Sequence, residues 1–323
     1  MTTGTSSSHV RPTADAPRRK DRLWLVILAA ALWGTDGLLR VPLVSDLEPS
    51  TIVFAEHAII CLLILPWLPG AVRAFAAAPR RVQLAILAIG IGASAVATTL
   101  FTAAFALGDP VTPLVLQKLQ PVIAIAGAAV LLGERVTARF PLFLVPILIG
   151  AWLLSFADPL GIALSQAQAA LLAVGAATLW AGGTVLGQYA ATAMATRHVT
   201  MLRFLFGLIA SFVIVLTLGD PLLPAAADVP GLVLLALIPG LLGLALYYRG
   251  LAGTAAARAT LGELAFPMTA ALIGVSFLGG SLDGSQWTGF VLLLGSVTLL
   301  ALHERRARTP AVMAGPLQPA TSG

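Results

Sequence analysis

Apolar stretches of about 18–25 residues follow one another along nearly the whole chain, separated by short polar turns, as in helices that cross a bilayer. Ten are legible, at roughly 23–42, 50–69, 83–107, 111–132, 138–157, 167–189, 198–219, 229–252, 257–279 and 285–303. Turns such as "LGDPVTP" and "FADPLG" leave no room between them for a soluble domain. The pattern predicts an all-α polytopic membrane protein of ten transmembrane helices. Residues 1–21 and 304–323 break it: rich in Ser, Thr, Pro, Ala and Arg, they are expected to be disordered tails.

Composition agrees. The 323 residues are 58% hydrophobic and 10% charged, where a soluble domain carries about 25% charge. The start, "RRKDRLWLVILAAALWG", has the basic flank and apolar run of a signal peptide. An internal copy of the segment, described below, argues for a retained helix instead. Cys61 is the one cysteine, inside the second span, so no intrachain disulfide can form and an inert buried thiol is expected.

Charge orients the chain. With the N-terminus inside, the inner segments hold Arg11, Arg18, Arg19, Lys20, Arg22, Arg73, Arg80, Arg81, Arg135, Arg139, Arg197, Arg249, Arg258, Arg305, Arg306 and Arg308. The outer loops hold Asp46, Glu48, Asp109, Asp158, Asp220, Asp228 and Asp283, and no basic residue beyond Arg40 at the end of span one. This is the positive-inside asymmetry. It accounts for the net charge of +5 without nucleic acid, and places both tails in the cytoplasm. Abundant Ala, Gly and Arg with only two lysines suggests the cytoplasmic (inner) membrane of a GC-rich bacterium.

The chain is also written twice. "LVILAAALWGTDGLL" (25–39) aligns without gaps on "LAVGAATLWAGGTVL" (172–186), an offset of 147, and "TIVFAEHAIICLLILP" falls on "HVTMLRFLFGLIASFV". "VLQKLQPVIAIAG" matches "TLGELAFPMTAAL", placing Pro121 on Pro267. The expected organisation is a first repeat over 22–157 and a second over 158–303, five spans each. Five is odd, so the second copy enters the membrane from the opposite side. Inverted repeats of this kind build secondary transporters, with the solute held near the midplane between the copies.

The sequence here resembles the drug/metabolite transporter superfamily, specifically its EamA type. The residues that carry the likeness are "ALWG" in span one, "TLWAGG" in span six and "QPVIAIAGAAVLLGERV" closing span four at Glu134. The resemblance covers about residues 22–303. It implies a secondary active transporter exporting a small organic metabolite or drug by alternating access, or an importer or exchanger of the same fold. The family often has an acidic residue before the mid-helix proline. Here Gln120 and Phe266 stand there, and Gly280 replaces the terminal glutamate in the second half.

Six charged residues fall within spans: Asp36, Arg40, Glu56, Lys118, Arg203 and Glu263. Their charges balance. Counting rise along each helix puts the first four in the outer half and the last two in the inner half. Asp36 and Arg40 are four apart and can pair on one helix face, or Arg40 can snorkel outward. Lys118 lies about six residues, roughly 9 Å, from its helix end. Glu56 or Asp36 is its expected partner, in a structural bridge or at a water-filled site for an anionic group. Arg203 is expected to snorkel to the cytoplasm. His57 is expected to be a packing residue that could share a proton with Glu56.

The prolines add backbone. Pro121 frees the carbonyl of Gln117 and Pro267 that of Glu263, its repeat mate. Interruptions at matched positions of both halves point to a transporter's site, although both could be packing kinks. Trp33 and Trp180, equivalent under the repeat, sit too deep for an interfacial belt and could stack on a solute or only pack. The expected solute- and ion-binding set is Trp33, Asp36, Glu56, Gln117, Lys118, Pro121, Trp180, Glu263 and Pro267. Glu263, with Thr260 on the same face, is the foremost candidate to carry a coupling proton, followed by Asp36 and Glu56.

There is no GxxxxGK[ST] loop, so ATP does not drive the chain directly. Neither HExxH nor GxSxG occurs. No metal, cofactor or catalytic residue is expected, and an intramembrane enzyme would need a constellation around His57 and Glu56. The expected partners are a small solute, protons and the bilayer, in a monomer or homodimer. "GIGAS", "AGG" and "GLLG" in spans three, six and eight should let helices approach closely.

Overall fold

The computed structural model describes residues 22–107, 111–120, 122–123, 126, 140–156, 158, 160, 164–251, 262–263, 265–279 and 281–308. Among them every regular element is helical. Six runs are long and apolar enough to cross a membrane: Leu23–Asp46, Pro49–Ala77, Arg80–Leu107, Leu164–Ala191, Thr196–Leu218 and Val229–Tyr247. Shorter apolar helices lie at Leu142–Leu154, Ala265–Phe277 and Gly284–Leu300. Leu62, Leu84, Leu142, Leu171 and Val291 turn outward, into what must be hydrocarbon rather than water. The chain is a multi-pass membrane protein. Pro121, Glu134, Thr260 and most of both tails lie outside the described residues.

The runs are less uniform than their hydropathy. The first is α1 (Leu23–Gly34) and α2 (Asp36–Asp46), joined at Thr35, whose hydroxyl donates to the Leu32 carbonyl at 2.7 Å. The second is α3 (Pro49–Ile64), a 3₁₀ turn (Leu65–Trp67) and α4 (Leu68–Ala77). It outlasts the predicted end at 69 because Pro66 and Pro69 stand in first turns, where no amide donor is needed. The third is α5 (Arg80–Ala88), a π-helical stretch (Ile89–Val96) and α6 (Ala97–Leu107). α7 (Val111–Leu116) runs into a 3₁₀ turn at Gln117–Leu119. Then come α8 (Phe140–Ser155), α9 (Leu164–Ala191) and α10 (Thr196–Leu218). α11 (Val229–Leu235), a second π-helical stretch (Ala236–Leu242) and α12 (Gly243–Leu251) form the next run. α13 (Ala265–Phe277) and α14 (Gly284–Arg308) complete it. The tail expected from 304 thus begins as helix, to Arg308.

The two π-helical stretches start 147 residues apart, the offset of the sequence repeat. Packing follows the same correspondence. α1 packs on α12 and α13, while α9, which contains its repeat copy, packs on α6 and α7. α3 pairs with α10, and α8 with α14. Both pairs are antiparallel. Thr51, at the start of α3, donates to the carbonyl of Pro221 just beyond α10 at 2.6 Å, and Ser50 donates to Asp220. The end of α10 is closed by Gly219 at φ 75, a left-handed cap that ordinary residues adopt reluctantly. One apolar core (Ala30, Phe101, Phe105, Leu114, Ala176, Phe266 and Ala270) draws on α1, α6, α7, α9 and α13, with Trp33 and Trp180 against it.

Small residues set the closest crossings. A Cβ on Gly150 would come within 2.6 Å of the Leu293 amide nitrogen, and one on Gly289 within 2.6 Å of that of Leu154. Gly183 meets Ala93, Gly90 meets Phe206 and Gly243 meets Trp33, all within 2.8 Å. The expected close approaches in spans three, six and eight are present. Gly150→Val should therefore lower the thermal midpoint in detergent by several degrees, since overpacking costs about 1–3 kcal/mol and the opposing atoms are backbone. Gly182→Ala, where a Cβ meets nothing within 4 Å, should leave the midpoint unchanged or raise it.

Candidate functional site

The interior charges form two groups. In the first, Arg40 is 2% exposed and takes both Asp36 oxygens, Nε to Oδ1 at 2.6 Å and Nη2 to Oδ2 at 2.8 Å. Nη2 also reaches Glu56 Oε2 at 3.3 Å, Nη1 donates to Thr102 Oγ1 at 2.8 Å, and the guanidinium lies 5.7 Å from the Phe101 ring centre. The i,i+4 pairing on α2 is present as expected. Outward snorkelling is not, because the helix continues to Asp46 and leaves Arg40 more than a turn inside it. One guanidinium with a fixed fork of donors satisfies two carboxylates.

That arrangement corrects the expected partners of Lys118. Neither Asp36 nor Glu56 pairs with it, since both already belong to Arg40. Lys118 lies in the 3₁₀ turn after α7 and points its Nζ over the Phe266 ring, 4.5 Å from the centre. The carboxylate whose charge acts on it is Glu263, although the two are not in direct ion contact. Glu263 Oε1 accepts a 2.6 Å hydrogen bond from Tyr247 of α12, and the Tyr247 ring packs against Trp33 of α1 with centroids 4.8 Å apart. Trp33, Lys118, Tyr247 and Glu263 are all partly exposed within the bundle. Four separate parts of the chain meet here.

The backbone at these turns is closed locally. The amide of Gln120 donates to the Gln117 carbonyl, and the amide of Phe266 donates to the Glu263 carbonyl at 3.1 Å. The expected free carbonyls are therefore taken up by tight turns in both halves. An amide three residues on replaces the donor that proline removes. What these turns offer is the side chains they carry. Gln117 is half-buried and Pro267 buried; Pro121 lies outside the described residues.

Arg203 does not snorkel out. Its Nη2 donates at 3.2 Å to the carbonyl of Ala93, within the first π-helical stretch. Its charge also acts weakly on Glu56, with no ion contact between the two. His57 is the satisfied packing residue expected. Nδ1 meets the Val53 carbonyl and Nε2 the Ser94 hydroxyl, each at 2.8 Å. Both ring nitrogens are thus engaged away from Glu56, so a shared proton has no geometry to support it. Trp180 packs at 5.2 Å on Phe101, which answers Tyr247 at an offset of 146. Each repeat tryptophan thus packs at an angle against the equivalent aromatic of the other half.

Tyr247 was absent from the sequence reading, and the signal that would have found it is this aromatic correspondence. The groups His, Cys, Asp and Glu form no cluster fit for a metal among the described residues.

The model of the EamA-like transporter family matches residues 22–156 and again residues 167–302. A riboflavin transporter, ImpX, of Fusobacterium nucleatum subsp. nucleatum is 29% identical over 288 residues, covering 84% of this chain and 95% of that protein. An uncharacterized transporter of Bacillus subtilis, YwfM, is 24% identical over 288 residues, covering 88% and 95%. A solved crystal structure with 20% identity superposes with a TM-score of 0.58, over 89% of this chain and 99% of that one, a likeness of fold.

Proposed function

Because the chain belongs to the EamA-like transporter family, we propose that it is a secondary carrier that exports a small organic metabolite by alternating access between two inverted five-span repeats. Membership of that family makes it a membrane transporter of the drug/metabolite type, and supports transport over the intramembrane-enzyme alternative. The observation that carries the finer reading is the meeting of Trp33, Lys118, Tyr247 and Glu263 from opposite halves of the chain. Antiparallel pairing of α3 with α10 and α8 with α14 supports the inversion, as do the matched π-helical stretches. A site shared between such copies can be exposed to each side in turn as the halves rock.

The name of the Fusobacterium relative puts riboflavin among the solutes to try. The decisive experiment is flux. Purified protein in liposomes should move solute unchanged and by counterflow, with uptake into inside-out vesicles faster in a proton gradient. Absence of any flux from a folded preparation across a broad metabolite panel would defeat the carrier reading.

Orientation is part of the proposal, with both termini in the cytoplasm of a bacterial inner membrane. Single cysteines at Asp46, Asp158 and Asp283 should react with an impermeant maleimide in intact cells, and cysteines at Arg80 and Arg197 only after lysis. These variants need the Cys61→Ala background. The reverse labelling would invert the topology.

A further inference from the structure

We infer that the site holds a planar, uncharged heteroaromatic solute by an amide-type edge, with an acceptor facing Lys118 and an adjacent N–H facing Glu263. The inference rests on the carrier reading above and names the chemistry of its solute. Among the described residues, Lys118 Nζ has an aromatic face beneath it and no hydrogen-bond acceptor. Glu263 accepts from Tyr247 on one oxygen, and among the described residues its other oxygen accepts no hydrogen bond. A charged donor and a charged acceptor, near enough to feel each other yet out of ion contact, are left with unused capacity beside one another. Buried polar groups normally find partners, and a shortfall at membrane depth is costly. A solute bearing a neighbouring acceptor and donor satisfies both at once.

The remaining walls select its shape. Trp33 and Tyr247 offer two ring faces tilted 50° to one another, and Phe266 lies beneath the lysine. In a ring amide or imide, the hydrogen-bonding edge and the stacking face belong to one rigid body, so binding freezes no internal rotor. Offset stacking on such surfaces is worth about 0.5–1.5 kcal/mol per ring pair beyond burial. The Lys118–Glu263 couple is itself neutral. A neutral solute leaves it so, whereas an anion would leave Glu263 opposed by a second negative charge and a cation would do the same to Lys118.

The test is titration calorimetry of the full chain in detergent with four probes: lumichrome, its 1,3-dimethyl derivative, benzoate and phenylalanine. Lumichrome should bind, and methylating both of its ring N–H groups should weaken binding about tenfold or more, because the Glu263 acceptor is then left unmet. Glu263→Gln and Lys118→Met should each erase that difference. Tyr247→Phe, a milder change, should reduce it while keeping the protein folded. Equal binding of the two lumichromes, or no lumichrome binding, overturns the inference. Lys118-dependent binding of benzoate or phenylalanine in preference to lumichrome overturns the solute class but leaves the site in place. Lumichrome binding that is indifferent to Lys118→Met, Glu263→Gln and Trp33→Leu removes the site itself.

Discussion

Arg40→Met should all but abolish folded protein, and Asp36→Asn with Glu56→Gln in the same chain should bring most of it back. Arg40 is 2% exposed and is the direct partner of both carboxylates. Removing one member of a buried ion network strands the others, at about 3–5 kcal/mol, whereas removing all of them is often neutral. Marginal stability makes a loss of that size decisive. The readouts are the monodisperse fraction by size-exclusion chromatography and the thermal midpoint in detergent. Lys118→Met should cost less stability than Arg40→Met, because among the described residues Lys118 is in no direct ion pair. Its effect should add to that of Glu56→Gln rather than be relieved by it, as befits sites without shared partners. A triple variant as unstable as Arg40→Met alone would show that the network's worth lies in packing around the guanidinium instead.

The sequence carried the spans well because hydropathy acts over twenty residues and tolerates local irregularity. It carried their rotations poorly. Arg40 and Lys118 look alike as lone cations near helix ends, and only the facing of α1, α2 and α3 decides which one meets Glu56. The end of span one was read at 42, where Pro42 and then polar residues lower the hydropathy, yet the helix runs to Asp46. Those extra residues turn Arg40 from a snorkelling side chain into a buried one. Arg203 was misplaced for a related reason. Its acceptor is a carbonyl in a π-helical stretch, and π geometry leaves little mark on composition. A trace existed all the same, since Gly92 and Pro239, both poor helix formers, stand at matched positions of the two stretches. The proline turns were legible to the residue. How their carbonyls are satisfied was not, because an amide three residues on competes with any ligand and wins locally.

Glu263→Gln should abolish accumulation driven by a pH gradient, while exchange between equal solute pools persists at a higher half-saturating solute concentration. Asp36 and Glu56, the other acidic residues considered for this role, are held by Arg40, so a proton arriving at either must first break a buried ion pair. Among the described residues, Glu263 has only the Tyr247 hydroxyl on one oxygen and Lys118 within its field. Its repeat mate Gln117 cannot titrate. Taking up a proton at Glu263 withdraws the negative charge that acts on Lys118, and the lysine then gains from any state that offers it water or an anionic partner. One titratable group at one of two matched positions thus biases a rocking equilibrium between otherwise similar states, which is all that a coupled ion can do. Glutamine fixes the neutral form, so the carrier should still exchange but no longer respond to an imposed pH gradient. Tyr247→Phe, which frees an oxygen of Glu263 without removing its charge, should shift the pH dependence and keep coupling. Proteoliposome uptake with and without an imposed pH gradient separates these outcomes. If Glu263→Gln still concentrates solute on the gradient, the proton travels elsewhere. Asp36→Asn and Glu56→Gln, each checked for folding against the Arg40 series, would then be expected to show the loss instead.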